Sequence, residues 1–214
     1  MIRVGIVDTA VDRSLAGSIA AAKSFTDAGA HACGHGTTVA RIVLHHAPAA
    51  RLLCAQAFGP GGRTEAAAVA EALRWLTAER AHLVNLSLGL AHDRENLRAA
   101  VADALVAGLI LVASTPARGA PVYPAAYPGV LRITGDARCE PGEISALGGE
   151  PADYGACARD LASAQGGASL AAAHVTGLLA SGLATADASA ILERAVRYRG
   201  RERRRPNHHT NELT

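Results

Sequence analysis

Short apolar runs alternate along the chain with longer stretches in which apolar residues recur at helical spacing. Residues 2–7, 51–57, 82–88, 109–113 and 130–134 are brief and rich in Val, Ile and Leu, and are predicted strands. Residues 36–46, 65–80 and 93–107 repeat Ala, Val and Leu at a helical period and are predicted helices. Thr64 is expected to cap the second of these, Asp93 to cap the third and Gly108 to end it. Residues 169–183 predict an apolar helix, and residues 187–199 a second, more polar one. Repeated strand–helix–strand units imply an α/β fold in which a mainly parallel sheet is covered on both faces. Functional side chains then gather at the carboxyl ends of strands, which is where Asp8 falls on the first. The expected layout is one domain over residues 1–196, followed by a basic tail over 197–214.

Composition sharpens this picture in three places. Half of the 214 residues are apolar but only 3% are aromatic, so the core must be built from Ala, Val, Leu and Ile. The formal net charge of +2 gives no argument for a nucleic-acid partner. No apolar run approaches the roughly 20 residues of a membrane span, so no membrane partner is expected. Cys33, Cys54, Cys139 and Cys157 are scattered without a paired motif and are expected as reduced thiols. With a strand-like run and Asp8 so near the first residue, no secretory signal is legible, and the expected compartment is the cytoplasm.

Three segments carry candidate chemistry, each placing one useful side chain among small or apolar neighbours. They are Val4-Gly5-Ile6-Val7-Asp8-Thr9-Ala10, Gly34-His35-Gly36-Thr37-Thr38-Val39-Ala40 and Gly167-Ala168-Ser169-Leu170-Ala171-Ala172-Ala173-His174-Val175. A serine hydroxyl is a weak nucleophile until a base removes its proton. His35 can be that base, and Asp8 can orient it and stabilise its charged form. At a helix start, Ser169 would also have free backbone amides beside a developing oxyanion. The order Asp, His, Ser is that of subtilisin. From about residue 3 to residue 183 the chain resembles the subtilisin-like serine proteases. That resemblance implies a three-layer subtilisin-like fold of minimal size, and a serine endopeptidase with Asp8, His35 and Ser169 as its triad.

The resemblance also implies a substrate site. Asn85-Leu86-Ser87-Leu88-Gly89 is similar to the family segment that pairs with the substrate backbone, giving Ser87, Leu88 and Gly89 as substrate-binding residues, with Gly61 and Gly62 on the other side. The chain departs from the family where an Asn should supply an oxyanion donor: an ungapped match puts Ala117 there. The backbone of Ser169 is expected to remain one donor, with Thr115 favoured over Ser114 and Arg118 as the second. His31, Cys33 and His35, or His45, His46 and Cys54, could suggest zinc, but their spacing matches no zinc motif. No Asp-rich loop suggests calcium, so no metal or cofactor is expected. Size, together with residues 114–119 and 135–139, resembles the branch of the family that removes the leader from the small subunit of quinohemoprotein amine dehydrogenase. This implies a leader-bearing subunit as partner. The alternative is a catalytically weak or inactive peptide-binding relative.

Overall fold

A computed structural model describes residues 1–26 and 34–202. In chain order the strands are β1 (Arg3–Asp8), β2 (Ile19–Ser24), β3 (Arg51–Gln56), β4 (Leu83–Leu86), β5 (Ile110–Ser114), β6 (Leu131–Gly135), β7 (Ile144–Gly149), β8 (Ala152–Ala156) and β9 (Val196–Arg199). The helices are α1 (His35–His46), α2 (Ala66–Ala78), α3 (Glu95–Val106), α4 (Ala168–Gly182) and α5 (Ala188–Ala195). Among the described residues the strands form one nine-stranded sheet in the order β2-β3-β1-β4-β5-β6-β8-β7-β9. Its pairings are parallel except for β7 with β8.

Two cores lie on opposite faces of the sheet. Val4 and Ile6 of β1 join Val39, Ile42 and Leu179 under α1, α4 and α5. Val7 of the same strand joins Leu53, Leu73, Leu76 and Leu97 under α2 and α3. Ile6 and Val7 serve opposite faces because successive strand side chains alternate, so a strand covered on both sides has no polar face. The largest fully buried side chains are all Leu and Ile, as the shortage of aromatics requires. Small residues bring α1 and α4 together: a Cβ on Gly177 would lie 2.9 Å from the Cβ of His46 and 3.1 Å from the Val43 carbonyl oxygen.

Several local expectations are corrected. The Thr64 hydroxyl donates to the Ala57 carbonyl at 2.6 Å, and the residue before α2 is Glu65, whose side chain makes no capping bond. Asp93 accepts from the Tyr127 hydroxyl at 2.8 Å and pairs with Arg98, so α3 starts after Arg94 without a side-chain cap. Gly108 ends α3 in a left-handed conformation (φ 85°), as expected. The last helix stops at Ala195. Val196 and Tyr198, half-buried, alternate with exposed Arg197 and Arg199 in β9, which pairs with β7. Residues 203–214, the rest of the expected basic tail, lie outside the described residues, as do His31 and Cys33.

Candidate active site

The first half of the site is the corner between β1 and α1. Asp8 ends β1 only 1% exposed, with its Oδ1 accepting from the Thr9 amide at 2.7 Å. His35 opens α1, and its Nδ1 lies 2.8 Å from both Asp8 oxygens. With the carboxylate ionised, Nδ1 carries the proton and donates it, which leaves the Nε2 lone pair free. The Asp8 hydrogen bond and charge raise the His35 pKa above its ordinary value, against a smaller opposing effect of burial. The corner is drawn tight by neighbours: the Gly36 amide donates to the Thr9 hydroxyl at 2.9 Å, and the Asp12 amide to the Thr37 hydroxyl at 2.9 Å. A Cβ on Gly36 would stand 2.3 Å from the Thr9 carbonyl oxygen, so only glycine lets α1 approach β1 this closely.

The second half lies where α4 begins, beside the end of β4. Ser169 is in the first turn of α4, where backbone amides have no intrahelical acceptor. Its hydroxyl donates to the Ser87 carbonyl at 3.3 Å, and the Ser87 hydroxyl donates back to the Ser169 carbonyl at 3.1 Å. The structure thus brings Asp8 to His35, and Ser87 to Ser169. The Ser169 hydroxyl thus donates to a backbone oxygen rather than to His35. The chain leading into Ser169 is held by the Gly167 amide, which donates to the Ala158 carbonyl at 2.8 Å.

Beyond the Subtilase family's length of match, residues 2–198, only the ends of this chain remain. The chain belongs to the Subtilase family. It is 32% identical over 149 residues to the minor extracellular protease Epr of Bacillus subtilis (strain 168), covering 62% of this chain and 23% of that protein. It is 33% identical over 111 residues to subtilisin BL of Lederbergia lenta, covering 47% of this chain and 41% of that protein. The chain therefore spans less than half the length of these curated relatives. A cold-adapted subtilisin-like serine proteinase superposes with TM-score 0.71 at 20% identity, covering 86% of this chain and 75% of that one. The prenylagaramide maturation protease PagA gives TM-score 0.65 at 21% identity, over 86% and 75% of the two chains. The fold is subtilisin-like, as the sequence implied.

Within this subtilase framework the remaining expected residues take definite places. Ser87 and Leu88 are buried just past β4, and Gly89 is exposed. Gly61 and Gly62 sit on an exposed turn, both with left-handed φ. Thr115 is buried after β5, its amide donating to the Ile133 carbonyl at 2.8 Å. Ser114 directs its hydroxyl at the Leu88 carbonyl at 3.5 Å. Ala117 lines a cavity of about 560 Å³ together with Asp136, Gly166, Gly167 and Ala168. The run of small residues before Ser169 leaves open space beside the start of α4, a cavity the sequence reading does not name. Asp136 on its wall is not a free charge: Arg138 and Ser145 both donate to it, at 2.7 Å each to Oδ2. Burial is the largest single influence on its carboxyl and acts to raise the pKa, but Arg138, Ser145 and the backbone amide of Arg138 together outweigh it and hold the carboxyl below the usual range.

Proposed function

We propose that the protein is a serine endopeptidase working through Asp8, His35 and Ser169. The observation that carries this is the buried Asp8 carboxylate, which meets His35 Nδ1 at 2.8 Å through both oxygens and so fixes the tautomer a general base needs. His35 Nε2 takes the Ser169 proton as Oγ bonds to the scissile carbonyl carbon. That proton then passes to the leaving amine as the carbon–nitrogen bond breaks. Water, deprotonated by the same imidazole, releases the acyl group and restores the serine. The Ser169 amide and Thr115 are the oxyanion donors in this reading. Ser87, Leu88, Gly89, Gly61 and Gly62 hold the extended substrate.

The proposed substrate is one specific peptide or protein, with removal of a leader from a quinohemoprotein amine dehydrogenase subunit as the narrower case. The motif resemblance at residues 114–119 and 135–139 supports it, and so does the fold likeness to maturation proteases such as PagA. Cys54, Cys139 and Cys157 are buried free thiols, which supports a reducing compartment, the cytoplasm. The second reading, a peptide-binding relative with little or no turnover, is favoured by one feature: Ala117 stands where the family's oxyanion Asn is expected. Incubation with a fluorophosphonate separates the two. Covalent labelling of Ser169, absent in Ser169→Ala and in denatured protein, supports the endopeptidase, and an unlabelled folded protein overturns it.

A further inference from the structure

Behind the Ser87–Ser169 contact runs a line of side-chain hydrogen bonds that the triad does not use. The Thr176 hydroxyl donates to Asn85 Oδ1 at 3.1 Å, Asn85 Nδ2 donates to the Ser87 hydroxyl at 2.7 Å, and that hydroxyl donates to the Ser169 carbonyl at 3.1 Å. Thr176 and Asn85 are both 0% exposed. The line leaves α4 at Thr176, crosses to β4, and returns to the first turn of α4 at Ser169.

Every bond in this line has a direction. A threonine inside a helix commonly turns its hydroxyl to the carbonyl one turn back, whereas Thr176 gives its proton to another element. An amide side chain has two unlike ends, a carbonyl that only accepts and an NH₂ that donates. With Thr176 donating, the carbonyl end of Asn85 is fixed towards α4 and the NH₂ end towards Ser87. The Ser87 oxygen is then already accepting, and its own proton is free for the Ser169 carbonyl. Turn the amide round and the direction reverses: Ser87 would donate to Asn85 and release Ser169.

We propose that Asn85 and Thr176 are positioning residues for the nucleophile, acting through Ser87 to hold the first turn of α4 in register with the end of β4. This rests on the assignment of Ser169 as nucleophile. Both the Ser169 hydroxyl and the Ser169 amide ride on that turn, so a shift there displaces the attacking atom and an oxyanion donor together. Misplacement by about 1 Å can cost on the order of 10²-fold in rate. The effect belongs to turnover and not to substrate binding, since neither residue is exposed to the substrate.

The test uses the full chain and measures the rate of fluorophosphonate labelling, and kcat and KM on a cleaved peptide. Thr176→Val keeps the shape and removes the donor, and Thr176→Ser restores it. Labelling and kcat are expected to fall about ten-fold or more in Thr176→Val with KM little changed, and to return towards wild type in Thr176→Ser. Should Thr176→Val fail to fold, Ser87→Ala removes the relay at its less enclosed end and is expected to lose labelling rate likewise. A folded Thr176→Val or Ser87→Ala that labels at the wild-type rate overturns the proposal, as does a Thr176→Ser as slow as Thr176→Val. Failure of the wild type to label at Ser169 overturns the nucleophile assignment instead.

Discussion

At the end of β1 a buried carboxylate holds an imidazole, and the partners differ in charge. At the start of α4 the groups that meet are all neutral: two serines, an asparagine and a threonine. The first arrangement is strong because an ionised acceptor shortens and strengthens its hydrogen bond, and it changes with pH. The second does not titrate and gains its precision from direction, each donor having one acceptor. In the proposed mechanism one half of the site sets a protonation state and the other sets a position. Proton transfer to a placed nucleophile would need both, and the two should fail in different ways when disturbed.

The largest expected effect removes the positioned atom itself. Ser169→Ala should lower turnover by roughly 10⁶-fold, the scale found when the serine of subtilisin is deleted. The melting temperature should hardly change, because the lost hydroxyl makes a single long hydrogen bond, 3.3 Å, to the Ser87 carbonyl. Residual cleavage at the wild-type rate in purified protein would break the comparison outright.

Next comes the charged half. Asp8→Asn keeps the shape but favours the wrong histidine tautomer, and should cost about 10⁴-fold in kcat. The pH profile sharpens this. His35 must be neutral to act as base, and Asp8 raises its pKa above 6.5, so the acid limb of kcat/KM should lie above pH 6.5 in the wild type and move down in Asp8→Asn. The linked stability has the opposite sense. A raised folded-state pKa adds stability below about pH 6.5 that is lost as pH climbs through the folded value. The protein is therefore expected to lose this contribution as His35 becomes an active base. An acid limb that stays in place in Asp8→Asn would show that His35 is not the titrating base.

A third change breaks the geometry of the charged half without touching its charges. Gly36→Ala places a Cβ 2.3 Å from a backbone oxygen that cannot swing aside, so α1 must shift from β1. Turnover should drop on the order of 10²-fold, with a lowered melting temperature and a smaller rise in the His35 pKa. Wild-type titration of His35 by NMR in this variant would show that the close approach is not what couples the two residues.

The two halves were unequally legible in the sequence. Asp8, His35 and Ser169 stood out because each is a lone polar side chain among small or apolar neighbours, in an order with few other meanings. Asn85 and Thr176 were inside runs read as a strand and an apolar helix, and a neutral side chain gives no sign of which element its hydrogen bond will reach. The same limit explains Thr64 and Asp93. Both look like caps, yet other partners, the Ala57 carbonyl for Thr64 and Tyr127 and the Arg98 side chain for Asp93, outcompete their own helix amides. The parallel centre of the sheet was legible from its apolar runs. Strands β2, β7 and β8 were not, being Ala-rich (Ile19–Ser24) or Gly-bearing (Ile144–Gly149, Ala152–Ala156), with little intrinsic strand preference. Strand β9 was read as helix because its four residues continue a helix without a glycine or proline between.

The smallest expected effect tests whether the neutral half is as indifferent to pH as its serines suggest. Close behind Ser169 on α4, His174 Nε2 lies 3.0 Å from the Arg159 carbonyl, which can only accept, so Nε2 carries a proton. Its Nδ1 must then accept from His46 Nε2, 2.8 Å away, while both rings are neutral. Burial and the neighbouring rings His174 and His45 push the His46 pKa down to about 4, and burial also lowers that of His174. The titratable and charged groups facing the pair are His45 on α1 and Arg159 and Asp160 on the segment before α4. Between about pH 6.5 and 4 the unfolded chain binds protons that the folded pair refuses, so stability falls as pH falls through that window. His46→Leu should flatten this part of the melting-temperature profile while leaving kcat at neutral pH within a few-fold of wild type. The second outcome matters for the comparison. The Arg159 carbonyl lies on the segment that leads to Gly167, so a kcat that tracks the acid melting transition, rather than the titration of His35, would make the start of α4 a titrating element after all.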